Sequence, residues 1–285
     1  MIAVTGASGH LGRLVVESLL QKVPASEIAA IVRNPERAGD LGSKGVAVRQ
    51  ADYSRPETLA AALSGVEKVL LISGNEVGKR VAQHTGVAAA AKHARVKLIL
   101  YTSLLHADRS PLLLGEEHRQ SEAAVRASGV PFVLLRHGWY TENYTNAVAT
   151  AVKSGVHYGC AGEGRVSAAS RVDYAAAAVA VLTSQDDQGG RTYELAGDEG
   201  FSLAQFAAEI ARQSGRMVHY ENLSESAFKA VLTKAGLPEP AAAFFAHTDT
   251  GISQGALFDD TRQLSRLIGH PTTPITHTIA AALHS

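Results

Sequence analysis

Three glycines stand close together near the amino terminus: Gly6, Gly9 and Gly12, in the stretch TGASGHLG. Four strand-like residues, Ile2 to Thr5, precede them, and a helix-like stretch, LGRLVVESLLQKV, follows. In that setting each glycine has a physical use. Gly6 permits a tight turn off the strand, Gly9 lets backbone approach a pyrophosphate closely, and Gly12 lets the helix sit against the strand. The opening helix then presents unpaired N–H groups and the positive end of its dipole to an anion. The turn made by Gly6, Ala7, Ser8, Gly9, His10, Leu11 and Gly12 is therefore expected to hold a dinucleotide. The plain alternative is a sharp turn with no ligand.

Arg33 carries the next expectation. It ends the second apolar run, EIAAIVR, where a site for NAD places Asp or Glu against the ribose 2′-hydroxyl. An arginine there pairs with a 2′-phosphate through charge-assisted hydrogen bonds, so NADPH is expected over NADH. A solvated arginine is the alternative. Ligands bind beyond the carboxyl ends of parallel strands. That places Ala51, Asp52 and Tyr53 near an adenine, and Ser73, Gly74 and Asn75 beside a ribose or nicotinamide. The nearby Gly74, Gly78, Lys79 and Arg80 only superficially suggest a P-loop. Three residues separate the glycines instead of four, and no Ser or Thr follows the lysine.

The elements that must position these residues alternate in type. Apolar runs at 2–5, 27–33, 45–50, 68–73, 96–103 and 131–136 are separated by helical stretches at 11–22, 56–64, 79–93 and 116–128. Near-continuous apolar strands with helices between them predict a parallel sheet covered on both faces. Right-handed crossovers make that a doubly wound α/β (Rossmann) fold. After Arg136 the rhythm changes. A glycine-, tyrosine- and asparagine-rich stretch leads to an alanine-rich helix from Tyr174 to Leu182, a strand at 192–195 and a Ser-capped helix at 202–215 that ends on glycine. A strand then a loop follow at 217–224, with more helix beyond. The predicted organisation is a nucleotide-binding core over 1–136 and a smaller α/β lobe over 137–285. The lobe would lie on the substrate side, packed on the core, with some elements returning to it.

Composition narrows the partners. The chain has 285 residues, 46% hydrophobic and 19% charged, with 27 basic and 27 acidic side chains. Neutral balance without a dense basic run argues against nucleic acid and anionic membranes. No apolar stretch approaches the roughly 20 residues that span a bilayer, and Met1 runs straight into a strand with no charged export region. Cys160 is the only cysteine, which excludes an internal disulfide and fits a reducing, cytoplasmic compartment. The 12 histidines lack ligand spacing, so no metal is expected. A homodimer is open.

The motifs GASGHLG, IVRNPER, RQADY, LLIS, YTSLLHAD, GWYTENY, ASRVDYAAAA, YELAGD and LSRLIGHPTTP together resemble the atypical, NmrA-like branch of the short-chain dehydrogenase/reductases, in particular its bacterial NADPH-dependent quinone reductases. The resemblance covers nearly the whole chain. The wider superfamily uses a Tyr-x-x-x-Lys pair to protonate a carbonyl, yet none of the eight tyrosines here has Lys four residues later. Ser103 resembles the superfamily serine, and His118 and Glu122 stand at the spacing of the missing pair. They are read as a solvated i,i+4 pair, with a substitute acid/base couple as the alternative. His137 stands where Asn is expected before GWY, leaving its backbone and that of Gly138 to approach the nicotinamide.

The resemblance implies hydride transfer to a quinone. A carbonyl reduced by hydride becomes a strongly basic alkoxide, for which a positioned acid is worth roughly 10²–10⁴-fold. A quinone becomes a weakly basic aromatic anion that solvent can protonate, so holding the two rings together suffices. Trp139, Tyr140 and Asn143 are the residues expected at the quinone, with Trp139 and Tyr144 otherwise read as core. Arg171 either reaches a cofactor phosphate or fixes the lobe, and Asp173 caps the helix or lies in its first turn. A non-catalytic NADP(H)-binding sensor is the alternative function. An epimerase or carbonyl reductase is disfavoured by the missing acid.

Overall fold

The apolar runs of the first half become strands: β1 (Ile2–Thr5), β2 (Ile28–Val32), β3 (Ala47–Gln50), β4 (Lys68–Leu71), β5 (Leu98–Leu104) and β6 (Phe132–His137). The computed structural model describes residues 1–284. Later come β7 (Val156–Gly159), β8 (Arg165–Val166), β9 (Thr192–Leu195), β10 (Phe201–Ser202) and β11 (His219–Asn222). The main sheet has the order β3-β2-β1-β4-β5-β6-β9, and β1 to β6 pair in parallel throughout. Every residue of β2 and of β5 is buried, as strands covered on both faces must be. At the edge, β3 (Ala47–Gln50) has no fully buried residue and ends on Arg49 and Gln50.

The helices of the first half are α1 (His10–Leu19), α2 (Gly39–Ser43), α3 (Pro56–Ala62), α4 (Arg80–His93) and α5 (Leu113–Ala127). They are followed by α6 (Thr145–Ser154), α7 (Arg171–Thr183), α8 (Leu203–Ser214), α9 (Glu225–Lys234), α10 (Glu239–Ser253), α11 (Gln263–Ile268) and α12 (Ile275–Leu283). Helix α1 packs on α7, and α3 on α4. The strand order reverses at β1, which lies between β2 and β4, so a crevice opens beyond their carboxyl ends. This is the doubly wound α/β fold expected from the alternation. The short helical pieces at 35–43 were not legible, because each is under two turns and held by local bonds such as Glu36 N–H to Asn34 Oδ1 at 3.0 Å.

Two compact units are present. The first comprises Met1–Ala107, Glu116–His137 and Arg171–Tyr193; the second comprises Asp108–Gly115, Gly138–Ser170 and the chain from Glu194 onward. In the second unit, β7 pairs with β11 and β8 with β10, while α6, α8 and α12 pack together. Tyr144, Phe201 and Phe206 form an aromatic centre there, with ring centroids 5.3 to 6.0 Å apart. Helix α8 begins with the Ser202–Gln205 capping box and stops at Gly215, whose φ is +66°.

Candidate dinucleotide site

The glycine turn joins β1 to α1 as its spacing demands. Gly6 has φ +61°, and a Cβ on Gly12 would come within 2.3 Å of Gly6 O and 2.8 Å of Ala7 Cα. Two amides of the turn are already engaged, Ala7 N–H with Ile31 O at 3.2 Å and Gly9 N–H with Gly6 O at 2.9 Å. The first rung of α1 is Arg13 N–H to Gly9 O at 2.9 Å. The amides of His10, Leu11 and Gly12 therefore precede any intrahelical acceptor, and the first turn holds no acidic side chain. An anion is favoured at that point by both hydrogen bonding and the helix dipole.

Beside the turn lies a cleft of about 350 Å³ at the switch point of the sheet. From the turn it takes Gly6, Ser8, Gly9 and His10; from the end of β2, Ile31 and Arg33. Asp52 and Tyr53 follow β3 into it, and Ser73, Gly74 and Asn75 follow β4. Ala7 and Leu11 are buried, and neither they nor Gly12 line it. The Arg33 side chain is 67% exposed, with Nη1 3.5 Å from Glu76 Oε1. Tyr53 gives its ring to the cleft and its hydroxyl to the sheet. That hydroxyl lies against Thr5 Oγ1 and 2.9 Å from Ile72 O, and burial pushes its pKa up.

Arg37 also lines the cleft, a residue the sequence reading passed over. Its backbone carbonyl accepts from Arg13 Nη2 at 3.0 Å, and Arg13 is itself paired with Asp40. The signal was present as the second arginine of IVRNPER. Only the turn from Asn34 to Ala38 aims it at the same space as Arg33.

The position of the superfamily's acid is sealed. His118 and Glu122 are not a solvated pair: they are 6% and 5% exposed, and each has its own buried partner. His118 Nδ1 lies 2.8 Å from the Tyr101 hydroxyl, and burial pushes the imidazole down to about 3. Glu122 receives Arg136 through two bonds, Nε to Oε1 and Nη2 to Oε2, both 2.9 Å. Ser103 Oγ donates to the same carboxylate at 2.7 Å. Glu122 and Arg136 thus form a buried ion pair, with Ser103 hydrogen-bonded to it, where a proton donor was a candidate.

Other expected site residues are not among those lining this cleft. His137 ends β6 with its ring stacked on Tyr174, centroids 4.3 Å apart at 20°, and burial pushes it down to about 3, leaving it neutral. Its carbonyl accepts from Leu105 N–H at 2.7 Å, and the Gly138 amide donates to Leu195 O at 2.7 Å. Arg171 opens α7, with Asp173 buried in its first turn. Neither His137, Gly138 nor Arg171 lines the cleft of the first unit. Trp139, Tyr140 and Asn143 belong to the second unit. There Ala169 N–H donates to Trp139 O at 2.9 Å and Asn143 N–H to Tyr140 O at 3.0 Å.

The family model described as NmrA-like family matches residues 1–273. The chain belongs to the NmrA-like family. Among its relatives is Quinone oxidoreductase 2 of Escherichia coli, 52% identical over 280 residues, or 98% of both chains. The crystal structure of the E. coli NADPH-dependent quinone oxidoreductase complexed with NADPH superposes with a TM-score of 0.96, covering 99% of each chain. The triphenylmethane reductase of Citrobacter sp., complexed with NADP(H), matches with a TM-score of 0.95 at 38% identity. That match covers 99% of this chain and 100% of the other.

Proposed function

We propose that this protein reduces quinones to hydroquinones with NADPH as reductant. The observation that carries the proposal is the 52% identity, end to end, with a quinone oxidoreductase. The cleft fits the cofactor by its own chemistry: helix-start amides with no acidic side chain in the first turn, and two arginines, Arg33 and Arg37, in its lining. When bound, NADPH supplies hydride from its nicotinamide ring.

The chain's own residues bind and orient. The amides of His10, Leu11 and Gly12, with Gly6 and Gly9 giving close approach, would receive the pyrophosphate. Arg33 and Arg37 would receive the 2′-phosphate. Ser73, Gly74 and Asn75 would flank the ribose and nicotinamide. Trp139, Tyr140 and Asn143, which follow β6 directly in sequence, are proposed at the quinone, and Arg171 at a phosphate or as a fastening of its helix. No side chain is assigned a proton. The weakly basic hydroquinone anion takes it from water, and the Ser103–Glu122–Arg136 group keeps its charges paired in the interior.

Full-length identity to an enzyme favours turnover over the non-catalytic sensor. Among the described residues no helix is long and apolar enough to cross a membrane. A cytoplasmic setting without nucleic acid is the proposed context, supported by neutral charge balance and one buried cysteine. The test is to mix the purified protein with NADPH and a benzoquinone or naphthoquinone and follow loss of the nicotinamide absorbance. Saturable NADPH binding without oxidation across several quinones would overturn the proposal.

A further inference from the structure

The loop after β4 is fastened in an uncommon way. It forms one wall of the cleft through Ser73, Gly74, Asn75 and Glu76. Both backbone groups of Gly74 are held by helix α4 instead: Gly74 N–H donates to His84 Nε2 at 3.0 Å, and Arg80 Nε donates to Gly74 O at 2.6 Å. At the other end of the loop, Gly78 N–H donates to Glu117 Oε1 at 2.6 Å. The two fastenings are tied together, because Arg80 Nη1 donates to Glu117 Oε2 at 2.8 Å and His84 Nδ1 lies 2.9 Å from Ser121 Oγ. Residues 80 and 84 stand one turn apart on α4, and 117 and 121 one turn apart on α5, so the helices are joined by two polar rungs.

Burial gives these bonds their weight. His84 and Ser121 are fully buried, and Arg80 nearly so. An unpaired polar group in such surroundings costs far more than it would in water. The hydrogen-bond geometry also selects one form of the imidazole. The Gly74 amide can only donate, so His84 Nε2 must be a lone-pair acceptor; the ring proton is then on Nδ1 and is given to Ser121 Oγ. A charged imidazolium would have no acceptor for Gly74. Burial and the adjacent Arg80 guanidinium push this histidine down to about 4, in keeping with the neutral form.

We infer that His84 is a positioning residue for the dinucleotide site. Its Nδ1–H tautomer, held by Ser121, fixes the Gly74 backbone and with Arg80 sets the course of the cleft wall from Ser73 to Gly78. The inference rests on the reading of this cleft as the NADPH site. Without the His84 acceptor the loop samples other courses, and ligand affinity falls by the fraction of time it is correctly placed.

Two measurements test it. The first is the ¹⁵N spectrum of the imidazoles in the protein without cofactor. His84 should show an unprotonated Nε2 and a protonated Nδ1 at pH 7; the opposite tautomer, or an imidazolium, overturns the inference whatever any variant does. The second is NADPH affinity by nicotinamide fluorescence titration, with no quinone present. His84→Leu, which fills the space without an acceptor, should weaken Kd by about tenfold. His84→Gln, whose amide oxygen reaches toward the same position, should recover most of that loss. Amide exchange at Gly74 should accelerate in the Leu variant and not in the Gln variant. A folded His84→Leu protein that binds NADPH as tightly as the wild type refutes the inference alone, whereas a wild-type protein that does not bind NADPH refutes the cofactor reading beneath it.

Discussion

Replacing Arg33 by alanine separates the two nicotinamide cofactors, and the size of the effect follows from where the residue sits. Its side chain is 67% exposed and its ionic partner Glu76 is 3.5 Å away. In water-facing surroundings a guanidinium about 4 Å from a phosphate gains about 1 kcal/mol per phosphate charge, so about 2 kcal/mol for a dianion. A charge-assisted hydrogen bond of an exposed arginine falls in the same range, about 1.5–3 kcal/mol. Kd for NADPH should therefore rise by about 10- to 150-fold in Arg33→Ala, while Kd for NADH, which lacks the extra phosphate, should change by less than about twofold.

Two neighbours modulate the number. Arg37 lines the same cleft and keeps part of the attraction, so Arg33→Ala/Arg37→Ala should exceed either single variant. Glu76 also lines it and, once Arg33 is gone, keeps its ion pair with Lys79 at 3.1 Å. Adding Glu76→Gln to Arg33→Ala should therefore restore part of the NADPH affinity, a coupling that a double-mutant cycle measures directly. The assay is equilibrium fluorescence titration with both cofactors at one fixed ionic strength, since screening changes these terms. An equal loss for NADH and NADPH would show that Arg33 supports the loop instead of the phosphate. No loss for either would move the phosphate elsewhere.

Three further outcomes are expected. Ser103→Ala should leave quinone kcat within about twofold and cost about 1 kcal/mol of stability, whereas Glu122→Gln should cost about 3–5 kcal/mol by stranding Arg136; a collapse of kcat in a stable Ser103→Ala protein would restore a chemical role to that serine. Gly12→Ala drives a methyl against Gly6 O and Ala7 Cα, so thermal melting should show a loss of about 1–3 kcal/mol or more together with weaker NADPH binding, and an unchanged melting temperature would contradict the close packing. Burial raises the Asp249 carboxyl from 3.8 to about 6, although it accepts from Cys160 N–H at 3.0 Å; the folded state then holds the proton more tightly, so the contribution is full below about pH 4 and lost as pH rises through about 6. Urea melts from pH 4 to 7 should show the stability of Asp249→Asn relative to wild type growing by up to about 1.4 kcal/mol per pH unit between about pH 4 and 6 and levelling off above that, and a pH-independent difference would refute it.

The sheet, its order-setting helices and the glycine turn were legible in the residue pattern because each follows from local rules. A strand buried on both faces has to be apolar along its length, as IAAIV and LILYTSL are. A helix that begins against a strand has to carry glycine where backbones meet, as Gly12 does. Ser202, Gln205 and Gly215 likewise announce α8 by capping chemistry alone. Arg33 was legible for the same reason, since the end of a strand is fixed by the strand.

What local rules could not reveal is which polar side chains go inside. The buried face of α4 begins with Arg80, Gln83 and His84 before it turns apolar at Val87, Ala88 and Ala91. The buried face of α5 carries His118, Ser121 and Glu122. At helical spacing such residues read as a solvated stripe, and His118 and Glu122 were read so. Their burial is possible only because partners distant in sequence meet them: Gly74 for His84, Tyr101 for His118, Arg136 for Glu122. A charge or an amide can leave water only when its hydrogen bonds are replaced, and whether they are replaced is a property of the folded assembly and of no single segment.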